Sequence, residues 1–168
     1  ELVKHTPENI ELLAAFTVQE ENGLRGARIA AYSMNPEVAF VLDSTPANDL
    51  PVWDEEENGR YNVKLNHGPA IYRLDAGTLS DPRLINHLVK VGDEFKIPYQ
   101  FRQPGKGGTD AGAIHKQRGG IPSVSISVPG RYAHTAVLIA RKADWDNTMK
   151  LIFASLAKFN RDVLSVDR

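Results

Sequence analysis

Two short apolar runs, residues 10–18 (I-E-L-L-A-A-F-T-V) and 38–42 (V-A-F-V-L), each give way to acid, the first to Glu20-Glu21 and the second to Asp43. Runs of this length, rich in strand-forming side chains, read as buried strands. Between them, residues 23–31 place apolar side chains at helical spacing behind a glycine turn, and Asn35-Pro36 stops the pattern. Strand, acidic turn, helix, strand is the order of a crossover between parallel strands. It would set Glu21 and Asp43 side by side at one edge of a sheet.

The rest of the chain continues the alternation. Residues 61–65 and 70–74 read as a strand pair around Asn66-His67-Gly68-Pro69, and the acidic stretch at 54–57 reads as a solvated loop. Asp81-Pro82 opens an amphipathic helix to Phe95 that carries Leu84, Ile85, Leu88, Val89 and Val91. A short strand follows at 99–102. The glycine-rich stretch 105–110 leads into a short helix ending at Gly119-Gly120. Residues 124–128 alternate with serine as a half-buried strand, and residues 145–159 form the final helix. The fold class expected is α/β: a mixed, mostly parallel sheet flanked by helices, with antiparallel pairs at one edge.

At 168 residues, 42% hydrophobic and 24% charged, one domain is expected. A net charge of -1 supplies no basic face for a phosphate backbone, so nucleic acid is excluded as a partner. No apolar run reaches the length of a membrane helix, and no signal peptide opens the chain. With no cysteine, thiolate sites and disulfides are excluded, which suits the cytoplasm and leaves carboxylates and imidazoles as the strong ligands. The chain starts without Met, close to its first apolar run, and Glu1 reads as a position inside a longer protein.

Consecutive acids behind a buried strand repel unless a cation or a shared proton compensates. An exposed turn would explain Glu20-Glu21 alone, but Asp43 at a second strand end points to a metal. His134, a few residues past the strand at 124–128, adds an imidazole. Carboxylates with imidazole suit zinc, cobalt or manganese. The Gly105-Lys106-Gly107-Gly108-Thr109-Asp110 stretch matches neither a Walker loop nor a dinucleotide fingerprint, and a tight turn with Thr109 or Asp110 capping a helix explains it at least as well as a substrate-facing loop. His5, His67, His87 and His115 are read as non-ligands.

The stretch from Phe16 to Ala27 (F-T-V-Q-E-E-N-G-L-R-G-A) resembles the signature of the glutamyl and deblocking aminopeptidases that assemble as tetrahedral particles. Asp43-Ser44-Thr45-Pro46-Ala47, Gly107-Gly108-Thr109-Asp110-Ala111, and Ile121-Pro122 through Arg131-Tyr132-Ala133-His134 resemble further blocks of that family, in family order. Members are also labelled endoglucanases or cellulase-like. The resemblance implies a zinc-aminopeptidase-like fold, with Glu20 as general base, Glu21 and His134 on one divalent ion, and Asp43 on the other. It implies two ions, zinc or cobalt before manganese, a peptide substrate and a homo-oligomeric complete protein. Members also supply a His-x-Asp motif, a bridging Asp and an inserted dimerisation domain ahead of the glutamate pair. Residues 1–168 are therefore expected to be a partial metallopeptidase catalytic domain. Two other readings stand beside it: a glycosidase using Glu20 and a second carboxylate, which needs no imidazole or metal, and a non-catalytic unit that binds a peptide or partner chain.

Overall fold

The computed structural model describes residues 4–50 and 62–165. The acidic loop expected at 54–57 and the start of the strand pair at Tyr61 lie outside them. The elements run α1 (Arg25–Met34), β1 (Ala39–Pro46), β2 (Ala70–Tyr72), α2 (Pro82–Glu94), β3 (Gln100–Arg102), α3 (Ala111–Ile114), β4 (Ser123–Arg131), β5 (Ile139–Ala140), α4 (Lys142–Lys158) and α5 (Asp162–Ser165). The strands form one mixed sheet in the order β1-β4-β2-β3, with β5 paired to β4. Pairing is parallel over most of its length: β1 with β4 from Ala39↔Ser123 to Pro46↔Gly130, and β2 with β3. β4 runs antiparallel to both β2 and β5.

Register sorts the side chains onto two faces, because successive residues of a strand point oppositely. Phe40 pairs with Val124, Leu42 with Ile126, and Ile126 with Ile71. Val124, Ile126 and Ile71 are fully buried with Leu84, Leu88 and Val91 of α2 and Leu151, Ile152 and Leu156 of α4. This is the main core, where each buried aliphatic side chain contributes about 1.5–3 kcal/mol. The opposite face carries Val41, Asp43 and Thr45 of β1, Ser123, Ser125 and Ser127 of β4, Tyr72 of β2 and Arg102 of β3. Ser125 bonds Thr109 Oγ1 at 2.7 Å, which brings the start of α3 down onto this face, and α1 packs on α3. β4 is therefore covered on both sides: its serines are buried like its aliphatics, where half-burial was expected. Small side chains permit that close cover.

Helix ends follow local chemistry. Asp81 caps α2 by accepting from the Arg83 amide, with Pro82 in the first turn. Asn35 ends α1 in the left-handed conformation and donates its amide to Ala31 O. α5 follows the helix expected to be last, and β5 adds a strand that the sequence reading lacked.

Two expectations fail. Residues 10–18 make no ladder; Ile10 and Leu12 pack against the core, while Phe16 is 96% exposed and Val18 66%. The parallel partner of β1 is β4. The hairpin around 66–69 also fails: residues 62–65 form no strand, and β2 pairs with β4 and β3. Asp144 holds that turn instead, accepting the amides of Asn66 at 2.7 Å and Gly68 at 2.8 Å.

Candidate active site

Glu20 and Glu21 occupy a turn closed by Gly23 N and Leu24 N donating to Glu20 O, at 3.2 and 2.9 Å. The turn is pinned to the preceding chain where Gly26 N donates to Val18 O at 3.0 Å. A Cβ on Gly26 would lie 2.5 Å from Val18 N, so only glycine permits this approach.

Asp43 lies within β1, three residues short of its end, rather than beyond it. Its Oδ1 accepts the Ser44 amide at 2.6 Å. His134 sits on the loop joining β4 to β5, whose base is set by the Arg131↔Ile139 pair. Asp49 braces that base, bonding Arg131 Nε at 2.7 Å and accepting the Leu65 amide at 3.0 Å.

The β4–β5 loop brings His134 Nε2 to 2.9 Å from Glu21 Oε1. Both side chains are exposed, at 78% and 73%, so their contact contributes little to stability. Glu20 is drawn into the same field. Burial, then the charges of Asp43, Glu21 and Asp110, push its carboxyl above the usual range, with His134 opposing. Asp43 is likewise raised, first by burial and then by Asp110 and Glu21, against the Ser44 amide and His134. Acidic groups thus crowd one place despite the missing strand at 10–18. The acidic turn comes within electrostatic reach of Asp43 with no parallel ladder between them.

Left-handed backbone recurs in these loops. Gln19, Leu24, Tyr132 and His134 all have positive φ, between 57° and 65°, a region disfavoured for residues with side chains.

Asp110 is a member of this cluster that the sequence offered as a helix cap or part of a substrate-facing loop, without a place among the site acids. It occupies the cap position of α3 but makes no capping bond. One carboxylate oxygen accepts from Thr17 Oγ1, and the other is buried without a partner. Its place in the Gly107–Ala111 block was the available signal. The Thr109 amide-capping contact to Ala111 N is long, at 3.3 Å, and its hydroxyl goes mainly to Ser125. Three other histidines bond backbone: His67 Nδ1 with Leu65 O, His87 Nε2 with Ser155 O and His115 Nδ1 with Ala111 O.

Among the described residues no three His, Asp or Glu side chains stand close enough to grip one ion unaided. The donor types nevertheless fit a divalent cation: an imidazole against a carboxylate, with further carboxylates held above their normal pKa by burial and then by neighbouring carboxylates.

An α/β sheet with these turns and loops on its serine-bearing face is the fold of known aminopeptidases. The chain is 32% identical to an aminopeptidase from the archaeon Desulfurococcus kamchatkensis, with TM-score 0.84 over 90% of this chain and 43% of that one. The TET1 peptidase of Pyrococcus horikoshii, which assembles into a tetrahedron or a large octahedral shell, matches at TM-score 0.72 and 30% identity, over 86% of this chain and 40% of that one. The chain belongs to the M42 glutamyl aminopeptidase family, whose profile matches residues 1–151. A lysyl aminopeptidase of Pyrococcus furiosus is 36% identical over 87% of this chain, and the glutamyl aminopeptidase of Lactococcus lactis 33% over 91%. The chain spans 40% and 41% of the length of these two relatives.

Proposed function

We propose that residues 1–168 are part of the catalytic domain of a metal-dependent aminopeptidase that removes N-terminal residues from peptides, acting in the cytoplasm as a homo-oligomer. The observation that carries this reading is the Glu21–His134 contact at 2.9 Å, formed across 113 residues of sequence beside Glu20 and Asp43. In this reading Glu21 and His134 hold one divalent ion and Asp43 holds a second, zinc or cobalt before manganese. When bound, such ions polarise the scissile carbonyl and acidify water.

The chain's own part in the chemistry falls to Glu20. Its raised proton affinity suits a group that takes a proton from water at a carboxylate oxygen and passes it to the leaving amine. Its placement one residue before Glu21 brings it to the site while leaving it free of a ligand's duty. Asp49 and Arg131 fix the root of the loop that presents His134. The remaining ligands, a second His and a bridging carboxylate, come from polypeptide outside this chain, and the same holds for the surface of assembly. A glycosidase would need neither His134 nor metal. Aminoacyl-reporter hydrolysis by the complete protein, before and after chelation and metal return, tests the reading: activity that survives chelation overturns it.

A further inference from the structure

Arg102 is 5% exposed, and its guanidinium faces no carboxylate among the described residues. A cation buried that deeply is costly unless polar groups are built around it. Here they are. Nε donates to Thr45 Oγ1 at 3.0 Å, the two terminal nitrogens donate to Gln103 O at 3.3 Å and Lys106 O at 3.2 Å, and the guanidinium lies 4.6 Å from the centre of the Tyr72 ring.

These contacts join three pieces of the site's face. Thr45 is two residues beyond Asp43 on the same strand and face. Lys106 belongs to the glycine-rich loop that leads to Asp110. Tyr72 is 3% exposed, and its hydroxyl accepts from Ser127 Oγ at 3.1 Å. Ser127, in turn, is the register partner of Asp43 on β4. Asp43 is thus framed on its own strand by Thr45, held by Arg102, and across the sheet by Ser127, held by Tyr72, with Arg102 reaching Thr45, the Tyr72 ring and the glycine loop together.

We infer that Arg102 is a positioning residue: through Thr45 and Lys106 O it locks the end of β1 and the glycine-rich loop in one arrangement, fixing where Asp43 and Asp110 stand. The inference rests on the proposed role of Asp43 as a ligand only in its second test. A lysine could not replace it, because a point charge lacks the planar fork that reaches a hydroxyl and two carbonyls at once.

The test compares Arg102→Met, Arg102→Lys, Thr45→Val and Thr45→Ser in the full chain. Amide exchange followed by NMR without metal should quicken at least tenfold at residues 43–47 and 105–110 in Arg102→Met, Arg102→Lys and Thr45→Val. Amides of α2 and α4 should stay unchanged, and Thr45→Ser should restore slow exchange. Cobalt titration of the complete protein carrying the same changes, read from visible absorption, should show about tenfold weaker binding in the first three variants and parental binding in Thr45→Ser. Unchanged exchange at 43–47 and 105–110, or uniform quickening throughout the chain, overturns the positioning role. So does parental cobalt affinity in Arg102→Met. If the complete parent protein takes up no cobalt, the ligand role of Asp43 falls, and the exchange pattern alone decides for or against the lock.

Discussion

His134 Nε2 stands 2.9 Å from Glu21 Oε1, and both side chains face solvent. Little folding energy rests on a pair this open, since exposed ion pairs contribute about 0–1 kcal/mol. His134→Ala should therefore leave the urea midpoint nearly unchanged while lowering metal bound by the complete protein. A large loss of stability would mark the contact as structural.

Glu20→Gln should separate base from ligand. The amide keeps the shape of the side chain but cannot take a proton, so turnover of the complete enzyme should fall by about 10²–10⁴. Metal content, measured by elemental analysis, should stay at the parental level. Joint loss of metal and activity would exchange the roles of Glu20 and Glu21.

Asp144 is fully buried in the first turn of α4 and accepts two backbone amides from the turn before β2. Asp144→Ala strands both donors and should cost about 2–4 kcal/mol. Urea unfolding with an unchanged m-value would measure it directly.

His87 sets a pH limit. Burial, followed by the Lys90 charge, holds its imidazole below the ordinary 6.5, against the bond to Ser155 O. The unfolded chain therefore takes up a proton first. Stability from this group is whole above 6.5 and falls as pH drops from 6.5 to the lower folded value, by up to about 1.4 kcal/mol per pH unit. His87→Gln should flatten that limb in urea titrations at pH 7.5 and 5.5; an unchanged slope would assign it to other groups.

How much of this was legible depended on whether the cause was local. α2 could be read because Asp81, Pro82 and its apolar stripe are neighbours in sequence, and the stop of α1 at Asn35 for the same reason. Residues 10–18 could not, because an apolar run looks the same with or without a ladder partner, and the partner is remote. The serines of β4 suggested a solvated face; their small size is what lets the start of α3 cover it. The turn at 66–69 has hairpin composition, but its amides are taken by Asp144, more than seventy residues away. Glu21, Asp43 and His134 could be singled out by type and by position near predicted strand ends. Asp110 was hidden behind the ordinary habit of an Asp before a helix, and Arg102 behind the ordinary habit of an Arg at the surface.

One ladder joins β1 to β4, and among the described residues no strand lies along its other side. Leu42 on that strand is 50% exposed, and Phe16 and Val18 are bare nearby in sequence to the acidic turn. Unpaired N–H and C=O groups beside apolar side chains form a template for any extended polypeptide. Such an edge should make the isolated chain's solution behaviour a matter of concentration, with copies of the chain pairing strand to strand as it is crowded. A proline or lysine placed at Leu42 would blunt that pairing without touching the serine-bearing face, so light scattering against concentration distinguishes a reactive edge from a sticky core.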